Sequence, residues 1–459
     1  MVQAARRGRV VPIHTAARPG MTPCWNGPIF GETDNGGRVE RQPGGAGIVQ
    51  GRRGARPRPA SPGQLTVEHH RSKVFSYFGD SNRLVLIAGA QSEHAAWALV
   101  YGLAERESRR LVLVLPHDAA FATMQRVPWL TEESRPEIWL HQDGALQDAP
   151  APERSRLDTI EAVRAHASEK SNGAGPAGEL RAASTPKYLG EQSAGVRQLV
   201  EWATSHPQLD AAHNQSTRSW LCAGQKVLSL DSGPGLVQVR AGIHDKQRMS
   251  APGESVAPGQ ALTPGQVEVL QQNVASAIAD RIEPGGRYCK PDEHWFQSVL
   301  RRDPSLVGVE SPALREVPAW RPADAAGSFG RGFIDLLGLD GHGDIRIVEA
   351  KLAKSSDDMT LMQGIDYHLW AHAYRDALAE KLSAPNGAQL RLHFVIGMVG
   401  GDKKLFHPRL ADYASCVDST AILFQFHAVR GWHIQPPSSR QEINTQSFPD
   451  GEIPTVSTP

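Results

Sequence analysis

The chain has 459 residues, which is enough for two or three domains. Its 49 lysines and arginines equal its 49 aspartates and glutamates, and this balance argues against a protein that holds nucleic acid by overall charge alone. No apolar run is long enough for a bilayer span, the basic first 20 residues lack the apolar stretch of a secretory signal, and the four cysteines are spaced neither for zinc nor for a disulfide framework. We therefore expect a cytoplasmic protein with reduced thiols and no membrane partner.

Residues 1–62 are rich in glycine, proline and arginine and have almost no periodic apolar pattern. Arginines outnumber acidic residues there by ten to three, so the rest of the chain is slightly acidic. Such a segment buries too little apolar surface to offset its chain entropy, and we predict a disordered tail. Its charge allows contact with nucleic acid, but the composition fits a passive extension better. Contacts made by the body of the protein then require a local groove and a divalent metal.

Residues 63–145 are predicted to form a small α/β domain. Three apolar runs indicate buried strands, at residues 84–90 (LVLIAGA), 111–115 (LVLVL) and 138–140. Ser92 is the predicted N-cap of a helix between the first two strands, and the apolar residues of that helix share one face: Ala96, Leu99, Val100 and Leu103. Strand, helix and strand at this spacing imply a parallel sheet with crossover helices.

Residues 146–284 are predicted to be a linker region that contains a β-hairpin and a connecting helix. The hairpin is indicated by strand-like sequence on both sides of residues 231–235 (DSGPG). Thr263 and Pro264 suit the N-cap and first position of a helix that runs to about Ile282. The apolar residues of this helix follow helical spacing: Val267, Leu270, Val274 and Ile278.

A last domain is predicted at residues 285–435, followed by a polar tail at 436–459, which makes the whole chain α/β. The expected elements are a helix at 292–302, a hairpin with strands at 333–339 and 345–351, a helix at 358–382, and later strands at 390–398 and 421–429.

The hairpin in residues 332–351 (GFIDLLGLDGHGDIRIVEAK) carries the most informative pattern. Folded about its glycine-rich turn, it places Asp335 opposite Glu349 and Phe333 opposite Lys351, all on one side of the sheet. Facing carboxylates repel each other among apolar neighbours, so one takes up a proton or a cation lies between them. Mg²⁺ is a suitable cation for a site between the two carboxylates, because it binds one or two carboxylates together with waters and phosphate oxygens. Lys351 can then reach a metal-bound water and stabilise charge on a phosphate.

Asp335, thirteen intervening residues and then Glu349-Ala350-Lys351 resemble the core of the PD-(D/E)XK nuclease superfamily, which has the restriction-endonuclease-like fold. The resemblance covers about the last third of the chain. It implies that Asp335 and Glu349 bind Mg²⁺, with Mn²⁺ as a substitute, and that Lys351 orients or activates the hydrolytic water. Ile334 stands where the family usually has proline, a departure that many members share.

The resemblance also implies helper residues outside the hairpin. Glu293 matches the acid on the first core helix of the family, and Gln363 with Tyr367 matches the helix that follows the hairpin. The order of these features along the chain makes the short motif considerably more specific. Glu293 could instead be an acid stabilised at a helix N-terminus, and Gln363 and Tyr367 a surface amide and a half-buried ring. Glu316 could be a further active-site acid, although a strand-edge charge is favoured.

The implied function is that of a metal-dependent phosphodiesterase, an endo- or exonuclease, whose partner is nucleic acid and DNA rather than RNA. The most similar members include DNA repair and defence nucleases, and a homodimer is allowed. Two alternatives stay open. One is a catalytically silent nucleic-acid-binding module of the same fold, and the other is a nuclease gated by nucleotide sensing in the N-terminal α/β domain.

Other patterns have a structural explanation that is favoured over a functional one. His368 and His372 have the spacing of a helical metal pair but lack a third ligand. The turn at residues 88–92 could hold a phosphate, but it lacks a Walker lysine and the full dinucleotide glycine pattern. Core packing is the expected role of the tryptophans that could otherwise stack on bases, Trp295, Trp320 and Trp370.

Overall fold

The chain has a mixed α/β fold with three β-sheets in its described part. The structure is a computed structural model, and it describes residues 66–68, 75–79, 81–142, 145–147, 149–170, 194–213, 217–233, 236–243, 253–256, 261–310, 312–322, 329–353, 359–399, 410–433 and 443–448. The tail predicted at residues 1–62 lies outside the described residues. Within the described ranges, no helix is both long enough and apolar enough to cross a membrane.

The first sheet has six strands in the order β1-β2-β3-β4-β5-β6. Its strands are β1 (Thr66–Glu68), β2 (Phe75–Gly79), β3 (Arg83–Ala88), β4 (Arg110–Pro116), β5 (Glu137–Gln142) and β6 (Ala145–Leu146). The predicted parallel pairing of the three apolar strands β3, β4 and β5 is confirmed, while the edge strands pair antiparallel. Helix α1 (Ser92–Glu105) buries its predicted apolar face. Its N-cap is Gln91, so the prediction of Ser92 as the cap is wrong.

The middle region contains a sheet of its own, which the prediction of a linker did not include. This sheet is antiparallel, in the order β11-β10-β9-β8-β7, and consists of β7 (Asp210–His213), β8 (Thr217–Cys222), β9 (Gln225–Gly233), β10 (Leu236–Ala241) and β11 (Gly253–Val256). The helices of this region are α3 (Arg156–Lys170), α4 (Ala194–Ser205) and α5 (Pro264–Ile282). The predicted hairpin is confirmed as β9 and β10, and the predicted cap of α5 as a capping box between Thr263 and Gln266.

The third sheet contains the residues of the predicted nuclease-like domain. Its order is β12-β13-β14-β15-β16-β17, with β12 (Leu314–Pro322), β13 (Phe329–Leu339), β14 (Ile345–Leu352), β15 (Leu390–Gly397), β16 (Leu423–Arg430) and β17 (Asn444–Ser447). Among these described strands, the neighbouring pairs β14–β15 and β15–β16 are parallel, and the other neighbours pair antiparallel. Part of the predicted C-terminal tail therefore forms an edge strand, β17, on β16.

The helices of this region are α6 (Glu293–Arg302), α7 (Thr360–Ala373), α8 (Arg375–Leu382) and α9 (Leu410–Ser415). The prediction of one continuous helix at residues 358–382 is wrong, because the structure has two helices here, separated at Tyr374. Helix α6 matches its prediction closely, since Asp292 caps it by accepting a hydrogen bond from the Trp295 N–H at 2.9 Å. Arg281 also binds Asp292, at 2.8 Å, which fixes the start of α6.

One hydrophobic core joins the first sheet to the third. It includes Leu86 and Leu113 from the first sheet and Phe394 and Phe426 from the third. Helix α2 (Phe121–Arg126) lies at this junction, where Arg126 makes a bidentate ion pair with Asp366 of α7, with both contacts at 2.8 Å. The two side chains are only 8% and 3% exposed. The first sheet is therefore anchored directly to the helix that also carries Gln363 and Tyr367.

We expect Arg126→Met to destabilise the protein by about 3–5 kcal/mol, because it leaves the Asp366 carboxylate buried without its cation. The double variant Arg126→Met/Asp366→Leu should recover most of that loss. Urea unfolding measures both effects. Arg110→Met is the matched control, since Arg110 pairs with Glu137 at the same 2.8 Å but is 62% exposed, and its loss should cost about 1 kcal/mol or less. Equal losses in Arg126→Met and Arg110→Met would contradict the anchoring role.

Candidate active site

The hairpin of β13 and β14 has the predicted register but stops pairing before the two acids. Leu339 pairs with Ile345 and Leu337 with Ile347, as predicted, and the last pair is Leu336 with Val348. The next position would join Asp335 to Glu349, but no backbone pairing continues there. The prediction that the two acids, and then Phe333 and Lys351, face each other across a continuous ladder is therefore wrong. The β13–β14 pairing thus ends where the acids begin.

The Asp335 side chain accepts a backbone hydrogen bond from β14, where the strand pairing has ended. Its Oδ2 accepts from the Ala350 N–H of β14 at 2.8 Å. On the other side, the pairing of β12 with β13 skips both Glu316 and Asp335, and Glu316 has a left-handed backbone with φ of 47°. The backbone of Asp335 is thus paired with neither neighbouring strand, and the sheet is irregular at this point. The carboxylate is fixed there by its own hydrogen bonds.

Helix α6 contributes two side chains one turn apart. Gln297 donates from Nε2 to Asp335 Oδ1 at 2.8 Å, and Glu293 Oε1 lies 3.1 Å from Lys351 Nζ. The predicted contact of Glu293 with the hairpin residues is therefore present. Gln297 was missed from the sequence, although its i+4 spacing from Glu293 on a helix entering the domain is a signal that could have found it.

Lys351 lies between two acids, and one of them is almost inaccessible. Its Nζ is 3.0 Å from Glu349 Oε1 and 3.1 Å from Glu293 Oε1. The Glu349 side chain is 1% exposed, and its Oε2 has no hydrogen-bond partner among the described residues. A buried carboxylate oxygen without a donor is costly, so this oxygen is a candidate ligand for a cation.

The acids and the lysine perturb one another strongly. Burial, and then the charge of Glu349, raise the pKa of Asp335 well above its usual value, against the opposing effects of Lys351 and the Ala350 N–H. Burial also raises the pKa of Glu349, and Lys351 opposes this. Burial alone would lower the pKa of Lys351, but Glu349, Glu293 and Asp335 together raise it well above its usual value. Lys351 is thus held as an ammonium, while two nearby carboxylates resist carrying two negative charges at once.

Helix α7 covers the cluster with an amide and a ring. Gln363 donates from Nε2 to the Tyr367 hydroxyl at 3.0 Å, so the predicted shared face of these two residues is confirmed. Burial and the charge of Glu349 raise the pKa of Tyr367, which shows that the ring lies within electrostatic reach of the acids. The guanidinium carbon of Arg321, from β12, lies 5.5 Å from the centre of the same ring.

The residues present fit a magnesium ion bound by two carboxylates. Mg²⁺ commonly uses one or two carboxylates and completes its coordination with waters and substrate oxygens. Asp335 and Glu349 provide the two carboxylates, and the unpartnered Oε2 of Glu349 provides a donor atom in need of a cation. No group of three or more histidine, cysteine, aspartate or glutamate side chains is placed to hold a metal in the described residues. Bound metal would therefore depend on water or substrate for its remaining ligands.

Other predicted candidates lie outside this cluster. Glu316 is 53% exposed and pairs with Arg301 at 2.9 Å, as a strand-edge charge does. His368 is buried beside Trp129, and burial, followed by the charge of His372, lowers the pKa of His368 to about 3, so it is a neutral core histidine. Trp295 and Trp370 are buried core residues, and Trp320 packs partly buried against the core.

The structure thus brings together Asp335, Glu349, Lys351 and Glu293 directly, and Gln363 through its hydrogen bond to Tyr367. The acids meet at the one point of the described β13–β14 hairpin where the strands separate. Comparisons of the chain with protein-family models, with curated proteins and with solved structures found no match.

Proposed function

We propose that the protein is a Mg²⁺-dependent nuclease that hydrolyses phosphodiester bonds, in DNA in preference to RNA. The observation that carries this proposal is the cluster itself: Asp335 and Glu349 meet at a break in the sheet, with Lys351 between Glu349 and Glu293 and one Glu349 oxygen unpartnered. A purely structural cluster would be expected to satisfy a buried carboxylate with donors. The proposed location is the cytoplasm, which suits the free cysteines Cys222, Cys289 and Cys416.

Each side chain of this site has a proposed role in the reaction. Asp335 and Glu349 would hold the metal, and Mg²⁺ in such a site lowers the pKa of a bound water and neutralises phosphate charge. Gln297 and the Ala350 N–H fix the Asp335 carboxylate, so its orientation does not depend on the metal. Glu293 holds the Lys351 ammonium beside Glu349, where it can hydrogen-bond the attacking water or balance negative charge on the phosphate.

Incubation of the purified protein with linear, nicked, circular and single-stranded DNA, and with RNA, tests the proposal. We expect cleavage in Mg²⁺ or Mn²⁺ and none in EDTA. Glu349→Gln, purified in parallel, controls for a contaminating nuclease and should be inactive. Binding of nucleic acid without cleavage of any of these substrates would instead favour a silent binding module of the same fold. The pattern of cut substrates separates endonuclease from exonuclease activity.

A further inference from the structure

Arg321 is a second cation beside the candidate site. Its side chain leaves β12 and stacks over the Tyr367 ring, with 5.5 Å between the guanidinium carbon and the ring centre. Among the described residues, no carboxylate forms a salt bridge with it. Lys351, in contrast, already has both Glu349 and Glu293 within 3.1 Å. Of these two cations, Arg321 is the one left to meet an incoming anion.

Gly332 leaves room for the Arg321 side chain beside the Tyr367 ring. A Cβ atom on Gly332 would lie 2.6 Å from Arg321 Nε and 3.1 Å from Tyr367 Cε1. Gly332 pairs with Ala319, on the strand that carries Arg321, so the missing side chain leaves room for the guanidinium against the ring. Cation–π stacking then holds the planar group in one orientation while its edge keeps donors for a ligand.

Arg321 and Lys351 are held by different helices. Lys351 pairs with Glu293 of α6, whereas Arg321 contacts Tyr367 of α7. The charges of both Lys351 and Arg321 act on the Glu349 carboxyl. A phosphate placed at the acids would therefore lie within electrostatic reach of both cations. Guanidinium groups bind phosphate oxygens in bidentate fashion, a geometry that ammonium groups cannot reproduce.

We propose that Arg321 is a substrate-binding residue, which contacts a phosphate oxygen of the bound nucleic acid on the α7 side of the acids and is held there by Tyr367 and Gly332. This assignment rests on the proposed nuclease function for its ligand, a phosphodiester. It adds a residue that the E-x-K motif does not contain. It also gives Tyr367 a defined task, which is to orient a cation.

Binding of a fluorescein-labelled DNA duplex, measured by anisotropy in Ca²⁺ and in EDTA across a salt series, tests the assignment. Arg321→Met should weaken binding roughly ten- to a hundredfold, as expected for loss of hydrogen bonds to a charged group. The slope of log affinity against log salt should fall by about one. Arg321→Lys should be intermediate, and Gly332→Ala should weaken binding in the same direction because its methyl group displaces the guanidinium.

Arg430→Met is the matched control, since Arg430 is exposed on β16 and lies outside the cluster. Arg321→Met with the affinity and salt slope of this control would overturn the assignment. The two proposals fail separately. If Arg321→Met cleaves and binds normally, the assignment of Arg321 is refuted and the nuclease proposal stands. If the wild-type protein binds DNA without cleaving it, and Arg321→Met does not bind, the nuclease proposal is refuted and the assignment of Arg321 stands. Failure of the wild-type protein to bind or cleave any of the duplex, single-stranded DNA and RNA substrates would overturn both.

Discussion

Glu349→Gln and Asp335→Ala are both expected to abolish cleavage and yet to differ in their effect on the stability of the metal-free protein. Glu349→Gln removes a buried negative charge whose Oε2 has no hydrogen-bond partner among the described residues, and Lys351 keeps its ion pair with Glu293, so stability in EDTA should hold or rise. Asp335→Ala leaves the Gln297 Nε2 and the Ala350 N–H without their acceptor and should cost roughly 1–3 kcal/mol. Single-turnover cleavage assays and urea unfolding in EDTA measure the two effects.

The hairpin register alone would predict something different for Asp335. Removing either of two facing carboxylates relieves their repulsion, so both variants would be expected to keep or gain stability. The two hydrogen bonds to Asp335 are the reason for the asymmetry. Glu201→Gln is the control, because Glu201 is an exposed acid on α4 outside the cluster and should leave cleavage and stability unchanged. Equal stability losses in the Asp335 and Glu349 variants would contradict the description of the cluster.

Lys351→Met is expected to lower the cleavage rate by orders of magnitude and to destabilise the metal-free protein by about 3 kcal/mol. The loss arises because Glu349, at 1% exposure, loses the ammonium 3.0 Å away and must either stay buried as an unpaired charge or take up a proton. From the sequence, Lys351 would be taken as a non-core position with an effect of about 1 kcal/mol or less. Urea unfolding in EDTA and cleavage kinetics in Mg²⁺ distinguish the two expectations.

The double variant Lys351→Met/Glu349→Gln shows whether the stability loss comes from the ion pair. It should recover most of the stability of the wild-type protein and none of its activity, because the orphaned charge is gone but the catalytic groups are not restored. Wild-type cleavage by Lys351→Met would refute the catalytic role of the lysine. A double variant no more stable than Lys351→Met would refute the electrostatic explanation of its instability.

The parts of the fold that were predictable are those encoded by local pattern. The apolar runs of β3 and β4 and the Thr263-Pro264 start of α5 depend on neighbouring residues, which determine strand and helix formation directly. The turn between β13 and β14 fixes their register in the same local way. Strand β17 was missed because its sequence, NTQS, has no apolar alternation, and its pairing with β16 is a tertiary choice.

The site was predictable to a similar degree and for a similar reason. Asp335, Glu349 and Lys351 share one hairpin, so their proximity follows from two adjacent strands. Gln297 binds an acid 38 residues away in sequence, and Arg321 meets Tyr367 across the packing of α7 on β12. The sequence near Arg321 does not indicate its contact, and the one local signal for Gln297 is its i+4 spacing from Glu293 on α6. The irregular pairing of β12 with β13 beside Asp335 was also not predictable, because Glu316 has a left-handed backbone there, a conformation that glutamate rarely adopts.

Calorimetric titration of Mn²⁺ and Mg²⁺ into the protein tests most directly whether Asp335 and Glu349 are metal ligands. Wild type and the Glu201→Gln control should bind with the same affinity. Asp335→Ala and Glu349→Gln should each bind at least about tenfold more weakly, since even the loss of a residue that only supports a ligand costs roughly ten- to a hundredfold. Metal affinity that is unchanged from wild type in both variants would contradict the account.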